Sequence, residues 1–459
     1  MRQLVFIFLV LIGFSGWSQN EITQEMLNNF HKDFIASPKS VALQNAISSN
    51  SLNDLTVSRN SLADVDVYFK YRVKTSGITD QKSSGRCWMF TGFNVLRPIA
   101  AAKMNTREVK FSHSYLFFYD QLEKANLFLE GIINTIDKPL DDKRVEWLLK
   151  NPIGDGGQWT GVVDLVAKYG VVPEDVMPES YHSENTSAMS RILTTNLRAN
   201  ATKLRQMHAD GQSMKVIKEH KISMINEVYR ILALSLGEPP TSFQWRFEDK
   251  DGNLTPIESY TPKSFYEKWI NINLTEYVMF MNDPSRPYFK LYEIDYDRHT
   301  VDGNNWKYIN LPTDEIKKFA LESIKSNEAM YFSCDVGKQL DMSRGYLDTS
   351  NYAYQQLFDV NLTMSKAQRI QTFASGSSHG MALVAADVDE NGIPVKWLLE
   401  NSWGMKGHKG HLIMTDEWFD EYMFRLVIHK KYVSQKVLDI LKSEAVMLPP
   451  WDPMFSPEL

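Results

Sequence analysis

Cys87 is the residue whose type and surroundings most directly suggest chemistry. It is one of two cysteines in 459 residues, within the segment QKSSGRCWMF (81–90). Small residues precede it and an apolar, helix-like run follows it, which predicts a thiol at the first turn of a helix. The positive end of the helix dipole lowers the pKa of a thiol there and favours the nucleophilic thiolate. The alternative is a small hydrophobic residue with no reactivity.

A thiolate nucleophile needs a base, and usually a group that orients the base. His379, in SGSSHGMAL, is the candidate base, because small residues surround it at the start of a predicted strand. Asn401, in ENSWG, lies about one hairpin further along, and its amide can accept from the imidazole and fix its tautomer. Trp403 would shield that hydrogen bond from water. The alternative for His379 is a structural histidine at a strand end.

Gln81 stands six residues before Cys87 and adds a second kind of group. Its amide NH₂ and the Cys87 backbone N–H are candidate donors to the oxyanion that forms when a carbonyl is attacked. Together, the four residues predict hydrolysis of a peptide or amide through a thioester. This chemistry requires neither a metal nor an organic cofactor.

The elements that must position these residues follow from apolar periodicity. Apolar residues at three-to-four spacing predict two long helices between about 186 and 235, and Gly237 ends the second. From about 290 the pattern shifts toward strands. HGMALVAADV, the turn DENG and VKWLLENS predict a β-hairpin, and GHKGHLIMT predicts a third strand. This hairpin would bring His379 and Asn401 together.

Composition narrows the class of protein. The chain is 43% hydrophobic and 23% charged, as expected for a folded globular protein. Its net charge of −6, without a long basic run, argues against a nucleic-acid partner. Two cysteines cannot form a disulfide framework, so stability must come from packing.

The first residues, MRQLVFIFLVLIGFSGWSQN, predict export. Arg2 is a minimal positive region, residues 4–14 are apolar, and a small-x-small site precedes Gln19. We therefore expect a signal peptide over 1–18 and a periplasmic or extracellular mature protein. The apolar stretch is too short for a comfortable membrane span, and no membrane anchor is expected after cleavage. The alternative is a buried N-terminal helix.

Three further residues have types that can do chemistry. Cys334, in YFSCDVG, lies in an apolar strand pattern, which favours a buried structural thiol. His408 and His411 have the spacing of a metal-binding pair. Few acidic residues and no cysteines accompany them, so a solvated strand is the favoured interpretation.

The combination of Q-x5-C-W upstream and H…ENSWG downstream resembles the papain-like cysteine peptidases. The form QKSSGRCW departs from the papain signature and is similar to the bleomycin hydrolase (aminopeptidase C) branch. SYLFFYDQLEKAN, DGGQW, KYGVVPEDVMPES, FSCDVGK, KGHLIMTDEWFDEY and LPPWDP also resemble that branch, in the same order, over nearly all the mature chain. The exported N-terminus is a departure, because this family is usually cytosolic. It leaves the physiological substrate open.

The resemblance implies an α+β, papain-like two-lobe cysteine peptidase fold with an inserted helical arm. A helical lobe would carry Cys87, and a β-rich lobe would carry His379 and Asn401. The implied segments are a signal peptide (1–18), the N-terminal part of the papain-like domain (19–185), the helical insertion (186–290), the β-rich lobe (291–447) and a C-terminal tail in the cleft (448–459).

The resemblance also implies a role for each site residue. Cys87 is similar to the nucleophile, His379 to the general base and acid, Asn401 to the orienting residue and Gln81 to the oxyanion donor. No member of the set is substituted. The alternative is a papain-like fold that has lost its activity.

Substrate binding is implied at two places. Gly156 and Gly157 resemble a loop that pairs with the substrate backbone, and adjacent glycines allow close approach. The alternative for them is an ordinary turn. The resemblance places the tail in the cleft, where the α-carboxylate of Leu459 would attract a free substrate amine. The alternative is a frayed terminus.

The implied activity is that of a cysteine aminopeptidase acting on peptides and bleomycin-like amides, assembled as a homohexamer. Two alternatives remain: a papain-type endopeptidase with an open cleft, and a non-catalytic exported peptide-binding ring. A Cys-His-Asp acyltransferase is disfavoured, because the orienting residue in ENSWG is Asn401.

Overall fold

The computed structural model describes residues 21–59 and 66–455. The predicted signal peptide (1–18) and Leu459 lie outside these residues. The chain divides into two units, one comprising 1–57 with 353–360 and the other 58–352 with 361–459.

Helices are concentrated between 87 and 236, in the first half of the larger unit. The helices of the described residues are α1 (Gln24–Ala36), α2 (Pro38–Ser49), α3 (Leu52–Thr56), α4 (Cys87–Met104), α5 (His113–Asn134), α6 (Lys143–Lys150), α7 (Trp159–Tyr169), α8 (Tyr181–Glu184), α9 (Ser187–Ala209), α10 (Met214–Leu236), α11 (Pro262–Trp269), α12 (Thr313–Lys325), α13 (Tyr354–Phe358), α14 (Lys366–Gln371), α15 (Asp416–Tyr422) and α16 (Gln435–Leu438), with 3₁₀ turns at Leu274–Glu276, Lys430–Tyr432 and Asp439–Lys442.

Strands dominate the second half. They are β1 (Tyr71–Arg72), β2 (Phe243–Trp245), β3 (Glu258–Tyr260), β4 (Tyr277–Met281), β5 (Lys290–Ile294), β6 (Lys307–Asn310), β7 (Met330–Cys334), β8 (Leu340–Asp341), β9 (Tyr346–Leu347), β10 (His379–Val388), β11 (Pro394–Glu400), β12 (His411–Thr415), β13 (Met423–His429) and β14 (Val446–Leu448). Helices followed by strands give the α+β arrangement that the sequence predicts.

The smaller unit is built from α1, α2, α3 and α13. The Thr23 side chain caps α1 by accepting from the Met26 N–H, and Pro38 starts α2 at a position where its missing N–H costs nothing. No residue of α1 or α2 is buried. The exposed apolar side chains of this unit include Met26, Leu27, Phe30, Phe34, Ile35 and Val41.

The main sheet of the larger unit runs in the order β14-β5-β6-β4-β13-β7-β10-β11-β12-β9-β8, with β1 also paired to β10. Most pairs are antiparallel, and β14 pairs with β5 in parallel. Every residue of the central strand β7 is buried, as are the first eight of β10. Such continuous apolar runs are typical of strands covered on both faces.

Helices cover this sheet and pack on one another. α4 contacts β7 and β10 directly. Its side chains are buried nearly all round, which suits a helix enclosed in a core. α5 packs against α7, and α9 and α10 pack on α5 and on each other.

The two long helices predicted between 186 and 235 are confirmed as α9 and α10. Their buried faces use residues at helical spacing, among them Leu193, Leu197 and Leu204 in α9. The helical part of the expected 186–290 insertion ends at 236, since Gly237 adopts a φ of +90°. The rest of that range holds β2, β3, α11 and β4, and β4 pairs with β13 of the main sheet.

The predicted hairpin is confirmed as β10 and β11, paired from Ala382–Glu400 to Val388–Pro394. The predicted third strand is shorter than expected, because β12 begins only at His411. Gly407, Lys409 and Gly410 have positive φ, which breaks the extended backbone before it.

Of the three remaining candidates, Cys334 and His411 are buried and His408 is half-buried. Cys334 is fully buried in β7, as predicted, and burial raises the pKa of its thiol well above the ordinary value. The expectation of a solvated strand is wrong for His411, which is 7% exposed because β12 lies between β11 and β9. Burial lowers the pKa of His411 to about 4, so this imidazole is neutral near pH 7.

Candidate active site

Cys87 is the first residue of α4, at the loop-to-helix junction that the sequence predicts. The preceding loop is held by Arg86, which is fully buried. Arg86 Nε donates to Ser84 Oγ at 3.0 Å, and the guanidinium pairs with Glu179 at 2.9 and 3.2 Å. These contacts fix the backbone just before Cys87, while the thiol itself stays half-buried.

The surroundings of Cys87 favour its thiolate. Burial raises the thiol pKa, but hydrogen bonding to His379, the charge of His379 and the backbone N–H groups of Gly380 and Trp88 all lower it. The net result is a pKa below the usual value. A thiol with a lowered pKa beside an imidazole is the arrangement of a nucleophilic cysteine.

His379 and Asn401 are joined across the hairpin. His379 is the first residue of β10, and its Nε2 lies 2.8 Å from Oδ1 of Asn401, which follows β11. The same Oδ1 accepts from the backbone N–H of Ser402 at 2.8 Å. Nε2 of His379 therefore carries the proton, and Nδ1 is the nitrogen left for Cys87.

Trp403 covers this hydrogen bond, as expected. Its ring stacks on the His379 ring with 4.6 Å between centroids. His379 is 6% exposed and Asn401 is 1% exposed. The imidazole is thus shielded from water on the side where Asn401 orients it.

Gln81 is positioned by the strand end that also carries Asn401. Its backbone N–H donates to the Ser402 carbonyl at 2.8 Å, and its Oε1 accepts from Ser402 Oγ at 2.6 Å. Nε2 donates to the Ser84 carbonyl at 2.6 Å. A primary amide has two N–H groups, so one N–H remains available, and Gln81 lines a cavity together with Cys87.

Gly156 and Gly157 line the same cavity, whose volume is about 460 Å³. A Cβ on Gly157 would lie 2.3 Å from His299 Cε1 and 2.8 Å from Trp88 Cδ2. A Cβ on Gly156 would meet no atom within 4 Å. Only Gly157 is thus required by close packing, against the residue next to the thiol.

A buried charged network lies beneath this loop. Asp120 is fully buried, and its carboxylate contacts His299 Nδ1 at 2.5 Å and Lys124 Nζ at 2.8 Å. Lys124 Nζ also donates to the carbonyls of Gly154 and Gly156, at 3.0 and 2.6 Å. Burial raises the pKa of Asp120, but Lys124 and His299 lower it by more, so the net pKa lies below the ordinary value and the carboxylate stays ionised. The network therefore holds the glycine loop from below.

The C-terminal segment is fastened to the protein body in two ways. β14 adds to the edge of the sheet beside β5. Beyond it, Trp451 lies under the cations of Lys143 (4.8 Å) and Arg144 (5.6 Å). One terminal nitrogen of Arg286 donates to both carboxylate oxygens of Asp452, at 2.7 and 2.8 Å. A charge-assisted contact of this kind is stronger than one between neutral groups, so it fastens the base of the tail.

The described part of the tail ends in the cavity. Met454, 2% exposed, and Phe455 both line the space that holds Cys87 and His379. Leu459 lies outside the described residues. The structure thus brings the catalytic candidates, the glycine loop and the base of the tail to one cavity.

Sequence reasoning did not find Asp120, Lys124, His299 or Arg425, although Arg425 lines the cavity and the other three support its loop. Asp120 and His299 are 179 positions apart, and although Asp120 and Lys124 fall in SYLFFYDQLEKAN, nothing in that stretch pairs them with His299. Only the contact between them in the folded protein shows that they belong to one network.

Comparison with known proteins gives consistent matches. The model of the Peptidase C1-like family matches residues 21–455. The chain is 36% identical to aminopeptidase C of Lactobacillus delbrueckii subsp. lactis (95% of this chain, 98% of the relative) and 40% identical to bleomycin hydrolase of Mus musculus (91% and 94%). The crystal structure of PepW from Lactobacillus rhamnosis HN001 superposes with a TM-score of 0.92 at 38% identity, covering 95% of this chain and 99% of that one.

These matches extend over nearly the whole of each protein, and they confirm the predicted papain-like peptidase fold. The chain belongs to the Peptidase C1-like family.

Proposed function

We propose that the protein is a cysteine aminopeptidase that removes N-terminal residues from peptides. The observation that carries the proposal is the single cavity shared by Cys87, His379, Gly157 and the tail residues Met454 and Phe455. The first two supply the chemistry, and the tail restricts the space available to substrate.

The reaction begins with the thiolate of Cys87, paired with the His379 imidazolium. The thiolate attacks the substrate carbonyl, and the oxyanion accepts hydrogen bonds from the Gln81 amide and the Cys87 backbone N–H. His379 protonates the leaving amine, which departs and leaves a thioester. His379 then takes a proton from water, and the oxygen of that water attacks the thioester. The C–S bond breaks, which releases the acid and restores the Cys87 thiolate beside the His379 imidazolium.

Asn401 acts through His379. Its Oδ1 holds Nε2–H, which keeps the ring in the tautomer that presents Nδ1 to Cys87. Because Oδ1 is itself fixed by the Ser402 N–H, the ring has one favoured orientation. Asn401 is thus a positioning residue in the proposed reaction.

The tail favours an aminopeptidase over a papain-type endopeptidase. Trp451 and Asp452 anchor its base, and Met454 and Phe455 occupy part of the cavity wall. We propose that the residues after Phe455 continue along the cleft and that the α-carboxylate of Leu459 receives the free amine of the substrate. Upstream peptide residues would then have no room.

The names of two relatives, aminopeptidase C and bleomycin hydrolase, agree with this activity. They support peptides as substrates, and they suggest that other amides with a free amine enter the same cleft. The lowered pKa of the Cys87 thiol argues against the alternative of an inert peptide-binding ring.

Deleting residues 456–459 should shift the preference of the enzyme from peptides with a free N-terminus toward N-acetylated peptides. The full-length protein should hydrolyse a peptide with a free N-terminus and leave its N-acetylated counterpart nearly untouched. The truncated protein should lose part of the first activity and gain the second, because the cleft opens and the amine loses its partner. Initial rates on matched free and N-acetylated peptides measure both.

Deletion of 455–459, which also removes the Phe455 ring, is the matched control for the role of the anchored base. If both truncated forms keep the full-length preference for free amines, the tail does not set specificity. The proposal of an aminopeptidase would then rest on another feature of the cleft.

We propose that the chain assembles into a homohexamer. The resemblance to the bleomycin hydrolase branch implies six chains. The apolar surface of the smaller unit, where Phe30 is 55% exposed, Ile35 55% and Phe34 46%, supports contact with another chain. Exposed apolar groups in such number, on helices with no buried residue, are typical of surfaces that another protein covers.

We also propose that the mature protein is exported and starts at Gln19. The support is the signal-like sequence of residues 1–18. Within residues 21–59 and 66–455 there is no helix of the length and apolar character needed to span a membrane.

Protein isolated from its native host tests both proposals together. N-terminal sequencing should give Gln19 as the first residue, and the protein should be recovered outside the cytoplasm. Sedimentation should give about six times the mass of one chain. An intact Met1 on cytoplasmic protein would refute export, and a monomer at micromolar concentration would refute the assembly.

A further inference from the structure

Arg425 is a buried cation in the cavity that has no ion-pair partner among the described residues. It lies in β13 opposite Ser333 of β7, and it lines the same cavity as Cys87 and His379. Its side chain is only 8% exposed. Its Nε is buried and has no hydrogen-bond acceptor, and no carboxylate among residues 21–59 and 66–455 lies within 4 Å of the guanidinium.

The contacts that Arg425 does make are aromatic. Its Cζ lies 5.1 Å from the centre of the Trp306 ring and 5.4 Å from that of Phe455. Cation–π contacts stabilise the charge, but they offer no acceptor to the five guanidinium N–H donors. Asp297 also lines the cavity, but it forms no ion pair with Arg425.

Burying the Arg425 guanidinium in this way costs free energy unless a hydrogen-bond acceptor or an anion pairs with it. An arginine does not lose its proton in proteins, and a buried charge is normally paired or hydrogen-bonded. The guanidinium fork matches a carboxylate in a bidentate geometry. An anion that enters the cavity would complete the fork, and a carboxylate is the anion that peptides supply.

We propose that Arg425 is a carboxylate-binding subsite of the cleft. The proposal rests on the proposed function, because it assumes that peptide chains occupy this cavity. Two sources have the required chemistry: an acidic side chain of the substrate, and Glu458, three residues beyond Phe455 in the tail. In the first case Arg425 selects acidic peptides, and in the second it holds the tail in place.

Peptide pairs that differ only by Glu against Gln, at each position flanking the cleaved bond, test the first source. We expect one Glu peptide to be preferred by about tenfold or more in kcat/KM, the size of a charge-assisted hydrogen bond. The variant Arg425→Gln should abolish that preference, and Arg425→Lys should restore part of it. Arg246→Gln is the matched control, since Arg246 is exposed and does not line the cavity.

The variant Glu458→Gln tests the second source. If Glu458 is the partner, this variant and Arg425→Gln should both raise hydrolysis of N-acetylated peptides, and the double variant should raise it no further. Thermal unfolding of each variant shows whether the fold is kept. Arg425→Met, which keeps the aliphatic contacts with the two rings, replaces Arg425→Gln if the latter is unstable.

Two results together would overturn the subsite: no Glu preference in the native enzyme at any position, and native selectivity in both Arg425→Gln and Glu458→Gln. This outcome is distinguishable from failure of the proposed function. If the native enzyme hydrolyses neutral peptides and the Arg425 variants behave like it, the proposed function stands and only the subsite is refuted.

Discussion

Replacing Cys87 with alanine should lower kcat on the order of 10⁶-fold, the size found when the nucleophile of a hydrolytic triad is removed. The thiolate forms the bond to the substrate carbonyl, and no other thiol can replace it. Cys334, the second cysteine of the chain, is fully buried, and its pKa is raised. Active-site titration with a thiol-directed epoxide should label the native protein and leave Cys87→Ala unlabelled.

The loss of activity in Cys87→Ala can be distinguished from misfolding. Cys87 is half-buried at the start of α4, and alanine is a better helix former, so the melting temperature should change little. His379→Ala should be nearly as severe, and the double variant should be no worse than Cys87→Ala alone, because base and nucleophile act as a unit. Native-like turnover by Cys87→Ala would refute the mechanism.

The Gln81→Ala variant should lower kcat by about 10²- to 10³-fold with little change in KM, as expected when one oxyanion donor is lost. The amide N–H interacts most strongly with the charged intermediate, so its removal affects the transition state more than substrate binding. Single-turnover acylation rates, measured at saturating peptide, report this step directly.

Gln81→Glu provides the sharper comparison. It keeps the side-chain shape and the acceptor for Ser402 Oγ, but an acceptor of like charge to the oxyanion replaces the amide group, which also donates to the Ser84 carbonyl. We expect Gln81→Glu to be at least as impaired as Gln81→Ala. If Gln81→Glu keeps native turnover, Gln81 is structural and the oxyanion relies on other donors.

The helices and the hairpin are predictable from the sequence because their signals are local. The apolar spacing of α9 and α10 and the alternation around the DENG turn depend on neighbours a few positions away. The hairpin also places His379 beside Asn401, which is why the amino-acid sequence alone is enough to pair these two residues.

Other features depend on contacts that no local pattern encodes. Asp120 meets His299 only because α5 passes beneath the loop before α7, and Arg425 reaches the cavity only because β13 pairs with β7. The sequence pattern misplaces the start of β12 for a different reason. Lys409 adopts a φ of +53°, and a lysine in the sequence does not predict this left-handed conformation.

The anchored tail has a practical consequence for expression of the protein. β14 and the Arg286–Asp452 pair hold the chain up to the cavity wall at Phe455, and four residues, which span at most about 14 Å when extended, separate Phe455 from a tag fused after Leu459. Any purification tag fused after Leu459 would therefore emerge beside the catalytic cleft, where it would act as a tethered competitor of the substrate. A tag placed directly after residue 20 would avoid this artefact, and it would also remain on the protein after the proposed cleavage before Gln19.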